Sequence, residues 1–356
     1  MTILDVESSD FTVPSANVAG EPPEARGLRR DEVRLLVSDG FGLAHRHFYQ
    51  LPDHLEPGDL VVVNDSRTRP AAVDALRLNG DRVCIHFSMP SDDGFWIVEI
   101  RPPDLAEGPV RTVAAGDELH LVGPVTVTLV EPYPDWSATR TRLWRAQVST
   151  DDVPRLLEHH GRAIRYAYVP EEWPLHHYQT IFAERSGSAE MPSAGRPFTW
   201  KTVSDLGRAG VTLAAITLHA GVSSPEAGEP PTPERYAVPP LTARRVNAAH
   251  ANGHRVIAVG TTVTRALESA AHPSGIMFAR RGWTNLVLGA ERPAWVVDGL
   301  ITGWHLPGSS HLALLSAVAG GEAVARAYDA ALTHGYLWHE FGDSSLLTAP
   351  RDRGRR

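Results

Sequence analysis

The sequence has 356 residues, of which 42% are hydrophobic and 21% charged, a composition typical of one or two folded domains. The formal net charge is −8, which excludes a basic coat over the whole surface, so a nucleic-acid partner would need local basic patches. Cys84 is the only cysteine, which excludes an intrachain disulfide and a cysteine-rich zinc site. Lys201 is the only lysine, so no other position can supply a catalytic lysine amine.

Membrane and secretion signals are not evident in the sequence. No apolar run approaches the roughly 20 residues that a membrane-spanning helix needs. Residues 1–10 lack the basic and apolar regions of a secretory signal. We therefore expect no membrane association and a cytoplasmic protein.

The beginning of the chain changes character near residue 31. Residues 1–30 have no apolar periodicity and are predicted to form a loosely ordered arm. Residues 60–63 are four consecutive apolar residues, which is typical of a strand covered on both faces. We assign residues 31–70 to the first part of an α/β domain.

Residues 71–155 are predicted to form an inserted β-barrel domain. The segment has little helical periodicity and consists of short β-prone runs separated by turn residues such as Asn79-Gly80. The runs are residues 83–87, 95–100, 118–122, 125–130 and 143–148.

Residues 156–349 alternate strand-like and helix-like segments, which predicts that they complete the α/β domain. The expected fold class is α/β, with a mainly parallel sheet, helices on both faces, and the small all-β barrel as an interruption. Thr199 is expected to cap one helix, and Ser309 or Ser310 another. Residues 350–356 are predicted to be a disordered tail.

The strongest local feature is a strand that turns at a glycine into a helix. Gly260, Thr261 and Thr262 follow the apolar residues 256–259. Free backbone N–H groups and the positive end of the helix dipole would lie there, at the carboxyl edge of the sheet. Such a position suits a carboxylate or phosphate, so the three residues are substrate-binding candidates. An ordinary Thr-capped helix explains the pattern equally well.

A second feature is the polar loop that opens into the apolar helix after Ser309. His305 lies in this loop. Near the helix N-terminus the dipole would lower the pKa of its imidazole and keep it neutral, so that it could act as a base. A histidine that only hydrogen-bonds the loop backbone explains the pattern equally well.

Polar residues also follow two other strands. His219 ends one strand and is a candidate for proton transfer, whereas Asn64 and Asp65 follow the other. Asp65 could accept ribose hydroxyl protons or make an Asx-turn, and the turn is weighted slightly higher. Arg67 beside it could meet a phosphate or pair with Asp65.

Ser193 and Gly195 are small residues that would let a ligand approach the backbone, although loop geometry alone also explains them. The adjacent histidine pairs point in different directions on a helix or strand, so we expect no metal site. No Gly-x-Ser-x-Gly or Walker motif is present, which excludes the esterase and NTPase classes that depend on them. The histidine pairs are His159-His160 and His176-His177.

These motifs occur in an order that resembles the S-adenosylmethionine:tRNA ribosyltransferase-isomerase family of queuosine biosynthesis. The resemblance runs from about residue 30 to residue 347, and eight collinear segments carry it. They are residues 60–71, 178–183, 192–195 with 198–199, 216–221, 255–262, 297–302, 305–307 and 341–343.

The resemblance implies a large α/β domain interrupted by a small barrel, in agreement with the residue patterns. It implies transfer of the ribosyl part of S-adenosylmethionine to the aminomethyl group of a 7-deazaguanine base in tRNA, with rearrangement to an epoxycyclopentane. S-adenosylmethionine is then a co-substrate, and neither a metal nor a separate cofactor is expected. Asp298, in a matched segment, is a further catalytic candidate, and Glu234, which is kept in a segment that otherwise departs from the family pattern, is a further substrate-binding candidate.

The sequence departs from the family pattern on predicted loops. Arg196-Pro197 replaces an expected Leu-His, residues 222–226 replace Gly-Thr-Phe-Arg-Pro, and residues 231–236 keep only a Glu and a Tyr of a histidine-rich motif. Proline cannot exchange a proton as histidine can. Two alternatives therefore stay open: a diverged enzyme with a small-molecule acceptor, and a binding protein without catalysis. We expect a monomer that contacts any tRNA through local basic patches.

Overall fold

The computed structural model describes residues 11–103, 108–134, 142–222 and 231–349. The strands are β1 (Arg34–Ser38), β2 (Leu43–His47), β3 (Leu60–Asn64), β4 (Ser66–Thr68), β5 (Ala72–Arg77), β6 (Arg82–Pro90), β7 (Trp96–Arg101), β8 (Glu118–His120), β9 (Thr126–Tyr133), β10 (Leu143–Val148), β11 (Arg185–Ser188), β12 (Thr212–Leu218), β13 (Glu234–Val238), β14 (Val256–Val259), β15 (Arg280–Thr284), β16 (Gly299–Gly303) and β17 (Ser344–Thr348). The α-helices are α1 (Val153–His160), α2 (Trp200–Arg208), α3 (Pro240–Ala251), α4 (Thr261–Ala270), α5 (Ser310–Ala319) and α6 (Gly321–Thr333).

A nine-stranded sheet forms the centre of the larger domain, with strand order β15-β13-β12-β3-β14-β16-β17-β1-β2. The prediction of a mainly parallel sheet was wrong, because the sheet is mixed. The run β12-β3-β14-β16 and the pair β17-β1 are parallel, whereas the other neighbouring pairs are antiparallel. Antiparallel strands close both edges, and the edge strands β2 and β15 are polar and largely exposed. Polar edge strands lack the apolar runs from which the central strands were predicted.

Helices cover both faces of this sheet, as its central sequence predicted. Along β3 the side chains alternate, so that Leu60 and Val62 join a core with α3, α4, α5 and α6. Val61 and Val63 join a second core with α2 and the short helical segment Phe48–His54. Since both faces of β3 are covered, all five of its residues are buried.

The smaller domain is a closed six-stranded barrel, with strand order β10-β7-β6-β5-β8-β9. Its interior contains apolar side chains from the alternating positions of each strand, among them Ile85, Val98 and Leu129. Val153 and Leu157 of α1 pack into the same core. The predicted domain boundary at residue 155 therefore cuts through a helix that belongs with the barrel.

Part of the predicted N-terminal arm is packed onto the larger domain. Phe11 is 7% exposed and its ring lies edge-on to that of Tyr328, with centroids 5.6 Å apart. Val18 forms an isolated parallel bridge with Trp338. The prediction of loose order is wrong for residues 11–30, because a few apolar anchors hold a segment that has no periodicity. Residues 1–10 and the predicted tail 350–356 lie outside the described residues.

The helices are short: within the described part of the chain, none has the length and apolar character needed to cross a membrane.

Candidate functional site

A cavity of about 530 Å³, here called the inner cavity, lies between the carboxyl edge of the sheet and the barrel. The loops after the parallel strands β12, β14 and β16 line one side of it, through Gly221, Gly260 and Trp304. The barrel domain contributes Arg101 at the end of β7 and Arg142 just before β10. The position agrees with the expectation that a ligand would bind where the parallel strands end, and the volume suits a nucleoside-sized ligand.

The glycine turn before α4 opens directly into this cavity. Gly260 is the N-cap of α4 with φ of 91°, a conformation that favours glycine. The expected threonine cap is absent, since no side chain accepts a hydrogen bond at this N-cap. The first-turn N–H groups thus have no capping side chain before them, while Gly260, Thr261 and Thr262 all line the cavity. This helix start can hold an anionic group.

His305 lines the same cavity, within hydrogen-bond distance of the hydroxyl of Thr302: Nε2 and Oγ1 are 3.0 Å apart. Burial holds the pKa of His305 well below its usual value, and His311 and His339 lower it further. The neutral imidazole that we predicted is thus supported, but for a different reason. Helix α5 begins only at Ser310, so burial replaces the helix dipole as the cause.

A short segment packs against the glycine turn. Ser193 and Ala194 line the cavity, whereas Gly195 lies just behind them against Thr180. A Cβ atom on Gly260 would be 3.2 Å from the Cβ of Ala194. Small residues therefore bring this segment up to the start of α4, as the sequence indicated.

Glu234 also lines the cavity, and its carboxylate connects helix α4 to the loop after β12. Its carboxylate is ion-paired with Arg265 of α4 and accepts a hydrogen bond from the Gly221 N–H at 3.1 Å. Burial raises the pKa of Glu234 despite the nearby guanidinium of Arg265. With one oxygen on α4 and the other on the loop after β12, Glu234 is placed to hold the cavity wall in position.

His219 lines a second pocket of about 460 Å³, here called the outer pocket, and none of the residues that line this pocket lines the inner cavity. Its Nδ1 lies 2.8 Å from the hydroxyl oxygen of Ser66, and its ring is so close to Gly187 that a Cβ there would come within 2.2 Å. Burial, followed by the charges of Arg69, Arg235 and Arg185, lowers the pKa of His219 to about 4. The sequence placed His219 at a strand end but could not indicate which of two pockets it faces.

Asp65 lies beside this outer pocket rather than the inner cavity. It accepts a hydrogen bond from the Thr217 hydroxyl at 2.6 Å and is ion-paired with Arg185 at 3.3 Å. Burial raises its pKa. Thr217 and Arg185 both line the outer pocket.

Three further predicted site residues line neither pocket. Asn64 is buried, with its Oδ1 accepting from the Leu218 N–H and its Nδ2 donating to the Leu218 carbonyl, which ties β3 to β12. Arg67 is exposed on β4. Asp298 precedes β16 at the opposite end of the parallel strands, where it accepts from the Val256 N–H at 2.8 Å.

The sequence did not indicate an aromatic and acidic wall that the structure places in the cavity. Tyr166 donates a hydrogen bond to Glu190, and Tyr168 donates to Glu340 at 2.8 Å. The ring of His339 stacks on that of Tyr168, with centroids 3.9 Å apart. The backbone of His339 has a φ of 73°, which is uncommon for a residue other than glycine. The i, i+2 spacing of the tyrosines in an extended segment was the available signal.

The cavity combines neutral histidines, a helix start that suits an anion, and buried carboxyl groups. Burial and Glu190 raise the pKa of Glu340 to about 7, whereas burial lowers the pKa of His339 to about 4. Such a set can transfer protons and hold charged groups of a substrate without bulk water. Within the described residues, no group of three metal-ligating side chains could hold an ion.

The structure is that of a two-domain α/β protein with a cavity of about 530 Å³ that polar and charged side chains line. The chain matches the family model described as "Queuosine biosynthesis protein" over residues 6–347. It therefore belongs to the queuosine biosynthesis protein family.

Relatives of known name span nearly the whole chain. An S-adenosylmethionine:tRNA ribosyltransferase-isomerase of Moorella thermoacetica is 34% identical, covering 97% of this chain and 100% of its own. A Thermus thermophilus enzyme of the same name is also 34% identical, covering 96% of this chain and 99% of its own. A solved structure, the S-adenosylmethionine tRNA ribosyltransferase of Thermotoga maritima, superposes with a TM-score of 0.51 at 27% identity, covering 95% of this chain and 98% of that one.

Pro197, which departs from the expected family pattern, does not line the cavity. Pro197 is buried, and the neighbouring Arg196 is 2% exposed and pairs with Glu24 at 2.8 Å. Pro231 and Thr232 do line it. Most of the altered loop after Val222 lies outside the described residues.

Proposed function

We propose that this enzyme transfers the ribosyl part of S-adenosylmethionine to the 7-aminomethyl-7-deazaguanine base of tRNA and isomerises it, giving epoxyqueuosine. The observation that carries the proposal is the family match across nearly the whole chain. The cavity at the carboxyl edge of the sheet supports it with a volume and polarity that suit this donor. The acceptor nitrogen forms a bond to the ribosyl-derived carbons, which close into the epoxycyclopentane, while the bonds to adenine and to methionine sulfur break. Adenine leaves as the neutral base and methionine as the free amino acid, and one proton is released to solvent overall.

The start of α4 is our proposed site for the carboxylate of the methionine part of the donor. Gly260, Thr261 and Thr262 would present backbone N–H groups and the positive end of the helix dipole to it. Ser193 and Gly195 would allow the donor to lie close to the backbone, and Glu234 would keep Arg265 and the adjoining loop in place.

His305 is our proposed base for the carbon next to the sulfonium sulfur. Its pKa is held well below the usual value by burial, so the imidazole is unprotonated and can accept a proton at neutral pH. The sulfonium makes the neighbouring carbon acidic, and the reaction needs no separate cofactor. Asp298 lies away from the cavity, so we do not retain it as a base.

The outer pocket is our proposed entry for tRNA, which would bind this acidic protein through a local basic patch. Arg185, Arg235 and Arg281 line it, and the guanidinium of Arg235 lies over the ring of Trp283 at 5.2 Å. Such a combination suits phosphates and an unstacked base. His219 and Asp65 would then contact the acceptor nucleotide rather than the donor. We propose that the protein acts as a cytoplasmic monomer.

The basic patch can be tested apart from the chemistry. Replacing Arg235 and Arg281 with alanine should weaken tRNA binding and lower the slope of log affinity against log salt by about 1 to 2, since two phosphate contacts are lost. The affinity for S-adenosylmethionine should be unchanged. Arg208→Ala is the control, because Arg208 is 74% exposed and pairs with Asp205 as Arg235 pairs with Asp92. An unaltered salt slope would contradict the patch.

The reaction itself is tested by release of adenine. Purified protein is incubated with S-adenosylmethionine and tRNA that carries the aminomethyl base, and adenine is measured by chromatography. We expect adenine only when both substrates are present. Adenine release without tRNA would favour the alternative of a small-molecule acceptor, and absence of S-adenosylmethionine binding by calorimetry would contradict any reaction with this donor.

A further inference from the structure

One wall of the inner cavity is built from two carboxyl groups held by two tyrosines. Tyr166 donates to Glu190, and Tyr168 donates to Glu340 at 2.8 Å. The tyrosine rings are stacked with centroids 6.0 Å apart and planes 27° apart, so the two carboxyl groups are held on one side of the cavity. All four residues line it.

A buried hydroxyl group on the same wall lacks a hydrogen-bond partner. Tyr178 is 3% exposed and lines the cavity, and its hydroxyl makes no hydrogen bond within the part of the chain that the structure describes. Burial and the nearby Glu340 carboxyl group raise the pKa of Tyr178, so the phenol keeps its proton. A buried polar group without a partner is costly unless a ligand satisfies it.

The chemistry of this wall points to a cation. Two carboxyl groups and a phenol oxygen are three acceptor groups, and a primary ammonium group has three N–H donors. The guanidinium groups of Arg101 and Arg142 also line the cavity, and both pair with the buried carboxylate of Glu99, at 3.8 Å and 2.9 Å. Since Glu99 already pairs with these two arginines, the carboxyl groups of Glu190 and Glu340 favour a cation beside them.

We propose that Glu190, Glu340 and Tyr178 bind the primary ammonium group of a substrate. The inference rests on the proposed function, in which two groups have this chemistry: the aminomethyl group of the acceptor base and the amino group of the methionine part of the donor. The acidic wall selects for a protonated amine, and it rejects an otherwise similar substrate that lacks one.

Binding measurements at pH 7 test this without relying on turnover. One arm compares an anticodon stem-loop RNA carrying 7-aminomethyl-7-deazaguanine with the same RNA carrying the neutral 7-cyano base. The other arm compares S-adenosylmethionine with its analogue lacking the amino group. We expect the parent protein to prefer the amine at least about 10-fold in one arm, as is usual for a charged hydrogen-bonded group.

The preference should fall below about 3-fold when Glu190→Gln and Glu340→Gln are combined, and Tyr178→Phe should reduce it by a smaller factor. If the preference is lost in the RNA arm, the site binds the aminomethyl group of the acceptor base. If it is lost in the S-adenosylmethionine arm, the site binds the amino group of the donor. Glu322→Gln is the control, because that carboxylate is 80% exposed on α6 and should leave both preferences intact. Thermal melting confirms that each variant is folded.

Preferences below about 3-fold in both arms for the parent protein would overturn the ammonium site, and so would preferences that survive in the double variant. Failure of the proposed function is distinct, because it would appear as absence of adenine release by the parent protein even if the amine preference is present.

Discussion

Replacing Glu340 with glutamine should stabilise the protein at alkaline pH but not at acidic pH. The pKa of Glu340 is raised from 4.5 to about 7 by burial and by Glu190, against the opposing effects of Tyr168 and Arg196. The folded state therefore binds this proton more tightly than the unfolded state. The corresponding stability is fully present below pH 4.5 and is lost as the pH rises through 7. Glutamine resembles the protonated carboxyl group at every pH.

The magnitude follows from the pKa. A rise from 4.5 to about 7 corresponds to about 3 kcal/mol, because each pKa unit is worth about 1.36 kcal/mol. Glu340 retains some exposure to the cavity, so we expect screening to reduce this to about 1 to 3 kcal/mol.

The assay is urea unfolding of the parent protein and of Glu340→Gln at pH 4.5 and pH 8. The difference in unfolding free energy between the two proteins should grow by about 1 to 3 kcal/mol from the lower to the higher pH. Taking the difference cancels groups that titrate alike in both proteins. Glu322→Gln should show no such growth, since its carboxylate is solvated. If the difference in unfolding free energy between the two proteins is the same at both pH values, the raised pKa of Glu340 does not contribute to stability and the prediction is refuted.

Three further predictions concern the cavity and its support. His305→Ala should lower kcat at least about 100-fold in a steady-state assay while the melting temperature changes little, and normal turnover would rule His305 out as the base. Gly260→Ala should cost about 1 to 2 kcal/mol in unfolding free energy, because the φ of Gly260 is 91° and Ala194 is close. The substitution should also weaken S-adenosylmethionine binding in calorimetry. An unchanged affinity for S-adenosylmethionine would argue against the α4 site. Glu268→Ala should lower the unfolding free energy by about 3 to 5 kcal/mol in denaturant unfolding, because this buried carboxylate pairs with Arg292 and accepts from three backbone N–H groups. A loss below about 1 kcal/mol would contradict a structural role for Glu268.

The strands and helices that the sequence predicted well have local signals. The barrel strands are apolar runs bounded by glycine turns, and β5 alone was not among the predicted runs. The caps Thr199 and Ser309 each accept a hydrogen bond from the first turn of their helix, as expected. The edge strands β2 and β15 and the neighbouring strand β13 were missed because they are polar or lie next to prolines, and only pairing with neighbours makes them strands.

The candidate site was predictable to the extent that it lies at strand ends and helix starts. Gly260 and His305 were found because a glycine turn and a loop histidine before a helix are local patterns. The wall of Tyr166, Tyr168 and Glu340 was not, because it joins an irregular segment to a loop more than 170 residues later in the chain. Which strand-end residues share a pocket depends on side-chain direction, and this is why the sequence could not show that His219 faces the outer pocket.

The most direct test of the central claim is mass spectrometry of nucleosides from the tRNA after incubation with the purified protein and S-adenosylmethionine. The substrate is tRNA that carries 7-aminomethyl-7-deazaguanine in the anticodon. We predict conversion of that nucleoside to epoxyqueuosine with the parent protein and not with His305→Ala. An unmodified nucleoside, in a reaction where the protein binds both S-adenosylmethionine and the tRNA, would contradict the account.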